Sequence, residues 1–211
     1  MIIIIDGPPA SGKSTLVRFL KLRYCANTYC YKRLGLNNVF YALLLRIAPG
    51  LQCCRLEGDR VDPITLVDPN YLMKMSILTL ILEIIYKCTE YFLLLLLALM
   101  DRCLIIDEWF SLGWANYFNL LLFKKALRPS HVIFLMRFDL KFLYMLSRFH
   151  KIYYYFIDRS LEKLEMFWCK RENTTPYDIR YTLLVRYSFR LFNEISGKYR
   201  IKIKINYIYT P

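Results

Sequence analysis

Histidine is nearly missing from this chain: His131 and His150 are the only two, far apart in sequence, too few and too separated to suggest a metal site. Each reads as a packed or surface residue. Cysteine is present seven times (Cys25, Cys30, Cys53, Cys54, Cys88, Cys103, Cys169), an odd set without a C-x-x-C pair. Such a set describes reduced, mostly buried thiols of an intracellular protein and argues against a structural zinc site. A membrane span is missing too, despite 56% hydrophobic content and a positive mean hydropathy. The strongest stretch, Ile77 to Met100, is interrupted by Glu83, Lys87 and Glu90, and its uncharged part is much shorter than the ~20 residues a bilayer requires. It reads as a buried core helix. The start of the chain lacks the basic region of a signal peptide, so a cytoplasmic location is expected. There are no internal repeats and no low-complexity linkers, and 211 residues are expected to form one domain with a large core. Acidic residues are in deficit, 17 against 30 lysines and arginines, giving a net charge of +13. That surface favours polyanions, whether nucleotides, nucleic acid or nonspecific contacts, and does not choose among them.

Glycine is also sparse, seven in all, yet two of the seven fall within one short stretch. Gly7-Pro8-Pro9-Ala10-Ser11-Gly12-Lys13-Ser14 fits G-x-x-x-x-G-K-[ST] at every fixed position. Ile2 to Ile5 before it is a short β-branched run that predicts a buried strand. Leu16, Phe19 and Leu20 after it recur at helical spacing. Gly7 and Gly12 allow backbone angles and a close approach that a Cβ would obstruct, so successive N–H groups of Gly7 to Ser14 can turn toward a polyphosphate at the positive end of the helix. Lys13 would place an ammonium against the β- and γ-phosphates. The Ser14 hydroxyl would join the coordination of a bridging Mg²⁺, and Thr15 is the natural next contact, to the α-phosphate.

Downstream, a helix to about Tyr24 leads to a second strand over Asn27 to Tyr31, followed by Lys32 and Arg33, candidate phosphate contacts or a solvated basic turn. Asn38 to Ile47 predicts a helix closed by Pro49-Gly50. Residues 51–70 form an irregular polar segment expected to hold part of an acceptor pocket, with Arg55, Glu57 and Arg60 the side chains of interest. Tyr71 to Met100 is expected as one long apolar helix, or two broken near Lys87.

Asp101 to Glu108 then forms an apolar strand ending in two carboxylates, the Walker B pattern. A carboxylate is needed where such a strand points at the shell of a phosphate-bound Mg²⁺. Asp107 is assigned that role. Glu108 could polarise a water, act as base toward a substrate, or face solvent. Trp109, Phe110, Trp114, Tyr117 and Phe118 could stack on a base, but at helical spacing they more often form core. Ser130 to Met136 predicts a further strand. The segment near 146–159 is expected to act as a lid, with Arg148 its principal cation and Arg159 and Lys163 in reserve. Ser160 to Arg171 and Tyr177 to Ile195 are expected helices, and Tyr199 to Tyr209 an edge strand whose lysines discourage further pairing.

With both Walker elements placed, the order of the chain resembles P-loop kinases, and more narrowly thymidylate kinases and their nucleoside monophosphate kinase relatives. In that family the acidic strand ends in Asp-Arg and an aromatic residue; Asp107-Glu108-Trp109 keeps the Asp and the aromatic but not the arginine. Arg55-Leu56-Glu57-Gly58 is at best an echo of the family's Arg-Glu-Pro-Gly-Gly stretch. Its arginine in the long helix has no counterpart between Tyr71 and Met100. The resemblance implies a three-layer α/β P-loop NTPase fold with a mainly parallel sheet of about five strands. It also implies transfer of the γ-phosphoryl group of Mg-ATP to a nucleotide such as dTMP, and it leaves room for a homodimer. The competing reading is an ATPase working on nucleic acid or a protein partner. The Asp107-Glu108 pair and the charge favour that reading, whereas the short chain and the lack of a small polar sensor residue after Met136 oppose it.

Overall fold

The computed structural model describes residues 1–24, 27–30, 36–51, 67–171 and 177–210. Their elements, in chain order, are β1 (Ile2–Asp6), α1 (Lys13–Tyr24), β2 (Asn27–Cys30), α2 (Leu36–Ile47), α3 (Pro69–Lys74), α4 (Ser76–Met100), β3 (Leu104–Asp107), α5 (Phe110–Leu122), α6 (Pro129–Phe149), β4 (Ile152–Arg159), α7 (Leu161–Arg171), α8 (Ile179–Lys198) and β5 (Ile203–Thr210).

The strands form one five-stranded sheet in the order β2-β3-β1-β4-β5, parallel at every pairing. β1 lies at its centre with all five residues buried, as a β-branched run covered on both faces should. Ile2 is in register with Leu104 and with Ile152, which fixes the shared N-terminal edge of the sheet. On one face Ile3, Ile5, Ile105 and Ile157 pack with Leu20, Leu16 and Val17 of α1. On the other the core is aromatic. Tyr154 and Phe156 of β4 stack on Phe189 and Phe192 of α8, and Phe192 stacks in turn on Phe110 and meets Trp114 edge-on. Trp109, Phe110, Trp114 and Tyr117 are all buried, so these aromatics serve the core.

The chain's internal contacts divide it into two units. One, Met1–Tyr31 with Leu93–Asn116 and Arg137–Pro211, holds the sheet; the other is Lys32–Phe92 with Tyr117–Met136. The second unit has its own apolar cluster of Tyr41, Val67, Leu72 and Ala126, with the Tyr41 hydroxyl 2.7 Å from Thr79 Oγ1. No helix among the described residues is long and apolar enough to cross a membrane.

Three sequence expectations are corrected. Ser130 to Met136 is the start of α6, not a strand. Pro129 occupies the first helical position, where its missing N–H costs nothing, and Val132, Leu135, Met136, Leu140, Leu143 and Leu146 are buried at helical spacing. The segment 146–159 is not a lid: it is the last turn of α6 followed by β4, which pairs with both β1 and β5. The break before α4 falls at Met75, not near Lys87. The edge position of β5 and its exposed Lys204 are as expected. Of the described cysteines, Cys103 is buried while Cys88 and Cys169 are exposed.

Candidate functional site

The chain leaves the centre of the sheet at Asp6, makes one tight loop over Gly7 to Gly12, and enters α1 at Lys13. The loop is closed by Ser11 N–H to Pro8 O (3.3 Å) and by Thr15 N–H to Gly12 O (3.1 Å). Gly7 and Gly12 adopt φ of +144° and +100°, where a side chain is strained. Space is short as well. A Cβ on Gly7 would lie 2.1 Å from the Ile157 carbonyl oxygen, and one on Gly12 would lie 3.3 Å from Arg159 Nη2. Both glycines of the motif therefore face the C-terminal end of β4. Pro8 and Ala10 are buried and Pro9 half-buried, while Ser14 and Thr15 open to solvent in the first turn of α1.

Lys13 is buried. Its ammonium donates to Gly7 O (2.9 Å) and Pro8 O (2.8 Å) and pairs with Glu108 Oε1 at 3.2 Å. Glu108 follows β3 directly and sits at φ +64°, its N–H donating to Ile5 O (2.9 Å). This strained turn points the carboxylate into the loop. Asp107 ends β3 opposite Ile5, half-buried. Lys13, Asp107 and Glu108 thus come together at the C-terminal edge of a parallel sheet, where open α/β folds place their ligands. Ser14 and Asp107 offer a hydroxyl and a carboxylate, the hard oxygen donors that Mg²⁺ takes alongside phosphate and water, so these residues fit that ion.

Sequence reasoning gave Asp6 no role, though a carboxylate inside a buried run was a signal. Its Oδ1 accepts from Gly7 N–H (3.2 Å). Its Oδ2 accepts from Ser111 N–H in the first turn of α5 (2.8 Å) and from the Tyr154 hydroxyl (2.9 Å). One buried side chain therefore ties the loop to α5 and β4. Complete burial raises its pKa above the ordinary carboxylate value, against the pull of the Ser111 hydrogen bonds and of Lys13. The same burial holds the Tyr154 phenol well above its usual range.

Arg148 is not brought to the loop. It lies in the last turn of α6, just before Ile152, whose partner is Ile2 at the opposite edge of the sheet from Gly7. Arg159, at the far end of β4, takes the position instead: its Nε donates to Ser11 O at 2.9 Å. Lys163 is exposed in the first turn of α7. Lys32, Arg33, Arg55, Glu57 and Arg60 lie outside the described residues, as does most of the expected acceptor segment 51–70; its end, Asp68, caps α3 through Asn70 N–H (2.7 Å).

No family model matches the sequence, and no curated protein matches it. Solved structures do. A deoxyadenosine kinase from M. mycoides with bound dATP superposes at a TM-score of 0.52 with 13% identity, over 98% of this chain and 90% of that one. A thymidylate kinase from Ehrlichia chaffeensis gives a TM-score of 0.45 with 15% identity, over 99% and 90%. The first of these likenesses carries the conclusion that this protein has the fold of a P-loop nucleoside kinase.

Proposed function

We propose that this protein transfers the γ-phosphoryl group of Mg-ATP to a nucleoside or nucleoside monophosphate, dTMP among the acceptors to be tried. The observation that carries the reading is the phosphate loop itself, with a buried Lys13 ammonium at its centre and Asp107 and Glu108 at the neighbouring strand end. The kinase fold supports it.

In this reading the loop amides and Lys13 bind and orient the donor polyphosphate at the N-terminus of α1. Ser14 and Asp107 would hold Mg²⁺, which would neutralise charge on the phosphates. Lys13 already donates to two carbonyl oxygens and is ion-paired with Glu108, so an incoming phosphate competes with these partners for its ammonium. Glu108 is the partner able to leave, being a side chain where the other two are backbone carbonyls of the loop.

The test is ADP production from Mg-ATP by the purified protein, alone and with deoxynucleosides, nucleoside monophosphates, or single- and double-stranded DNA. Stimulation by one nucleoside or nucleotide, with its phosphorylated product appearing in step, is the expected result. Turnover stimulated only by DNA, or undiminished without an acceptor, would make the protein an ATPase. Lys13→Ala is expected to reduce turnover to background in either case; unchanged activity would remove the loop from the mechanism.

A further inference from the structure

Lys13 is fully engaged in the ligand-free loop, whereas a second cation beside it is not. Arg159 spends its Nε–H on Ser11 O (2.9 Å), and its guanidinium stands over the Phe167 ring, 4.8 Å from the centroid. Nη2 covers the bare side of Gly12, the residue immediately before Lys13. Among the described residues neither Nη1 nor Nη2 has a hydrogen-bond acceptor.

The backbone that carries this side chain is held from several directions. Arg159 N–H donates to Asp158 Oδ1 (2.8 Å), and Arg159 O accepts from Arg186 Nη2. Arg186 is itself paired with Asp158 at 2.9 Å, and the Tyr207 hydroxyl donates to Asp158 Oδ2 (3.1 Å). A planar fork fixed by one hydrogen bond and one aromatic face, with its remaining donors uncommitted, is arranged to receive a doubly bonded oxyanion. The apolar platform also limits reorganisation when the anion arrives.

We propose that Arg159 is a phosphate-binding residue of this site, its Nη groups donating to a phosphate oxygen of the nucleotide held by the loop. The inference rests on the reading of that loop as a nucleotide site. It also gives Gly12 a second purpose, since a side chain there would displace the guanidinium.

The test is isothermal titration of the full chain with Mg-ATP and, separately, with inorganic tripolyphosphate, which has the charge but no base. Arg159→Gln is expected to weaken both by about tenfold or more, and Arg159→Lys to recover only part of the loss because the fork is gone. Phe167→Leu, which leaves the charge and removes its platform, is expected to weaken both by about threefold. Should Arg159→Gln fold poorly, as its ligand-free melting curve would show, the Lys and Leu variants carry the comparison. Binding of both probes by Arg159→Gln to within about twofold of wild type would overturn the inference and leave the nucleotide site standing. A loss confined to Mg-ATP would also overturn it, by placing Arg159 on the base. Failure of the wild type to bind either probe would overturn this inference and the function proposed above together.

Discussion

The three acceptors around the Lys13 ammonium make a measurable difference to how the loop meets a ligand. Glu108 competes with phosphate for that ammonium, so Glu108→Gln is expected to tighten Mg-ATP binding by about fivefold, the equivalent of about 1 kcal/mol for a partly exposed ion pair. A hydrolytic ATPase using Glu108 as base would instead lose turnover by about 10²-fold or more, with binding retained. Asp6 gives a second residue-scale prediction. All its partners are donors, so Asp6→Asn turns an NH₂ toward them and is expected to cost about 2 kcal/mol in urea unfolding. The pH dependence has a definite sign. Because the folded pKa of Asp6 is raised, the stability this carboxyl contributes is fully present below its unfolded pKa and is lost as pH rises through the folded value. The gap between wild type and D6N should therefore narrow with rising pH. Lys87 teaches a related lesson. Its charge interrupts the apolar run of α4, yet the residue is fully buried, 3.7 Å from Glu90 and against the rings of Tyr91 and Tyr117.

At the scale of elements, the sheet core depends on α8. Phe192 is fully buried among Phe110, Trp114 and Tyr154, and Phe192→Ala is expected to cost about 3–5 kcal/mol, read as a lowered urea midpoint with an unchanged slope. Elements with local signatures were legible in the chain. β1 announces itself by β-branching beside a glycine motif, β3 by an apolar run ending in Asp107, and β5 by alternation with lysine. β4 is masked by its surroundings, because Ile152 to Ile157 follows directly on the cationic turn Arg148-Phe149-His150-Lys151. Its Ile-Tyr-Tyr-Tyr-Phe-Ile run is itself a strand signal, and pairing with β1 across the sheet places it. Ser130 to Met136 carries β-branched and apolar residues that suit a strand locally, but Pro129 at its head and the buried positions at helical spacing make it the start of α6. The pattern also overstated burial in α4, where Ile77, Ile81, Ile85, Phe92, Leu96 and Leu99 remain exposed. The loop residues of the site were thus readable in order, whereas Asp6, Arg159 and their partners come from segments more than a hundred residues apart.

For the molecule as a whole, part of the positive charge gathers away from the loop. Arg148, His150, Lys151, Lys202 and Lys204 line an open cavity of about 440 Å³ at the N-terminal edge of the sheet, with no carboxylate among the lining residues. Binding of DNA to this surface is expected at low salt and should fall steeply between about 50 and 200 mM, as counterion release requires. A filter-binding series checks this, and tripolyphosphate at a concentration that fills the loop should not displace the DNA. DNA that competes directly with tripolyphosphate would place both on one site.

The dependence of Gly7 and Gly12 on the end of β4 also sets an order in time. During synthesis the loop leaves the ribosome well before the Ile157 carbonyl and Arg159 it packs against, and Arg186, which holds Arg159, follows later still. A nascent chain halted before β4 would carry the whole phosphate motif and lack the surface that shapes it. The loop is made long before the residues that give it its working form.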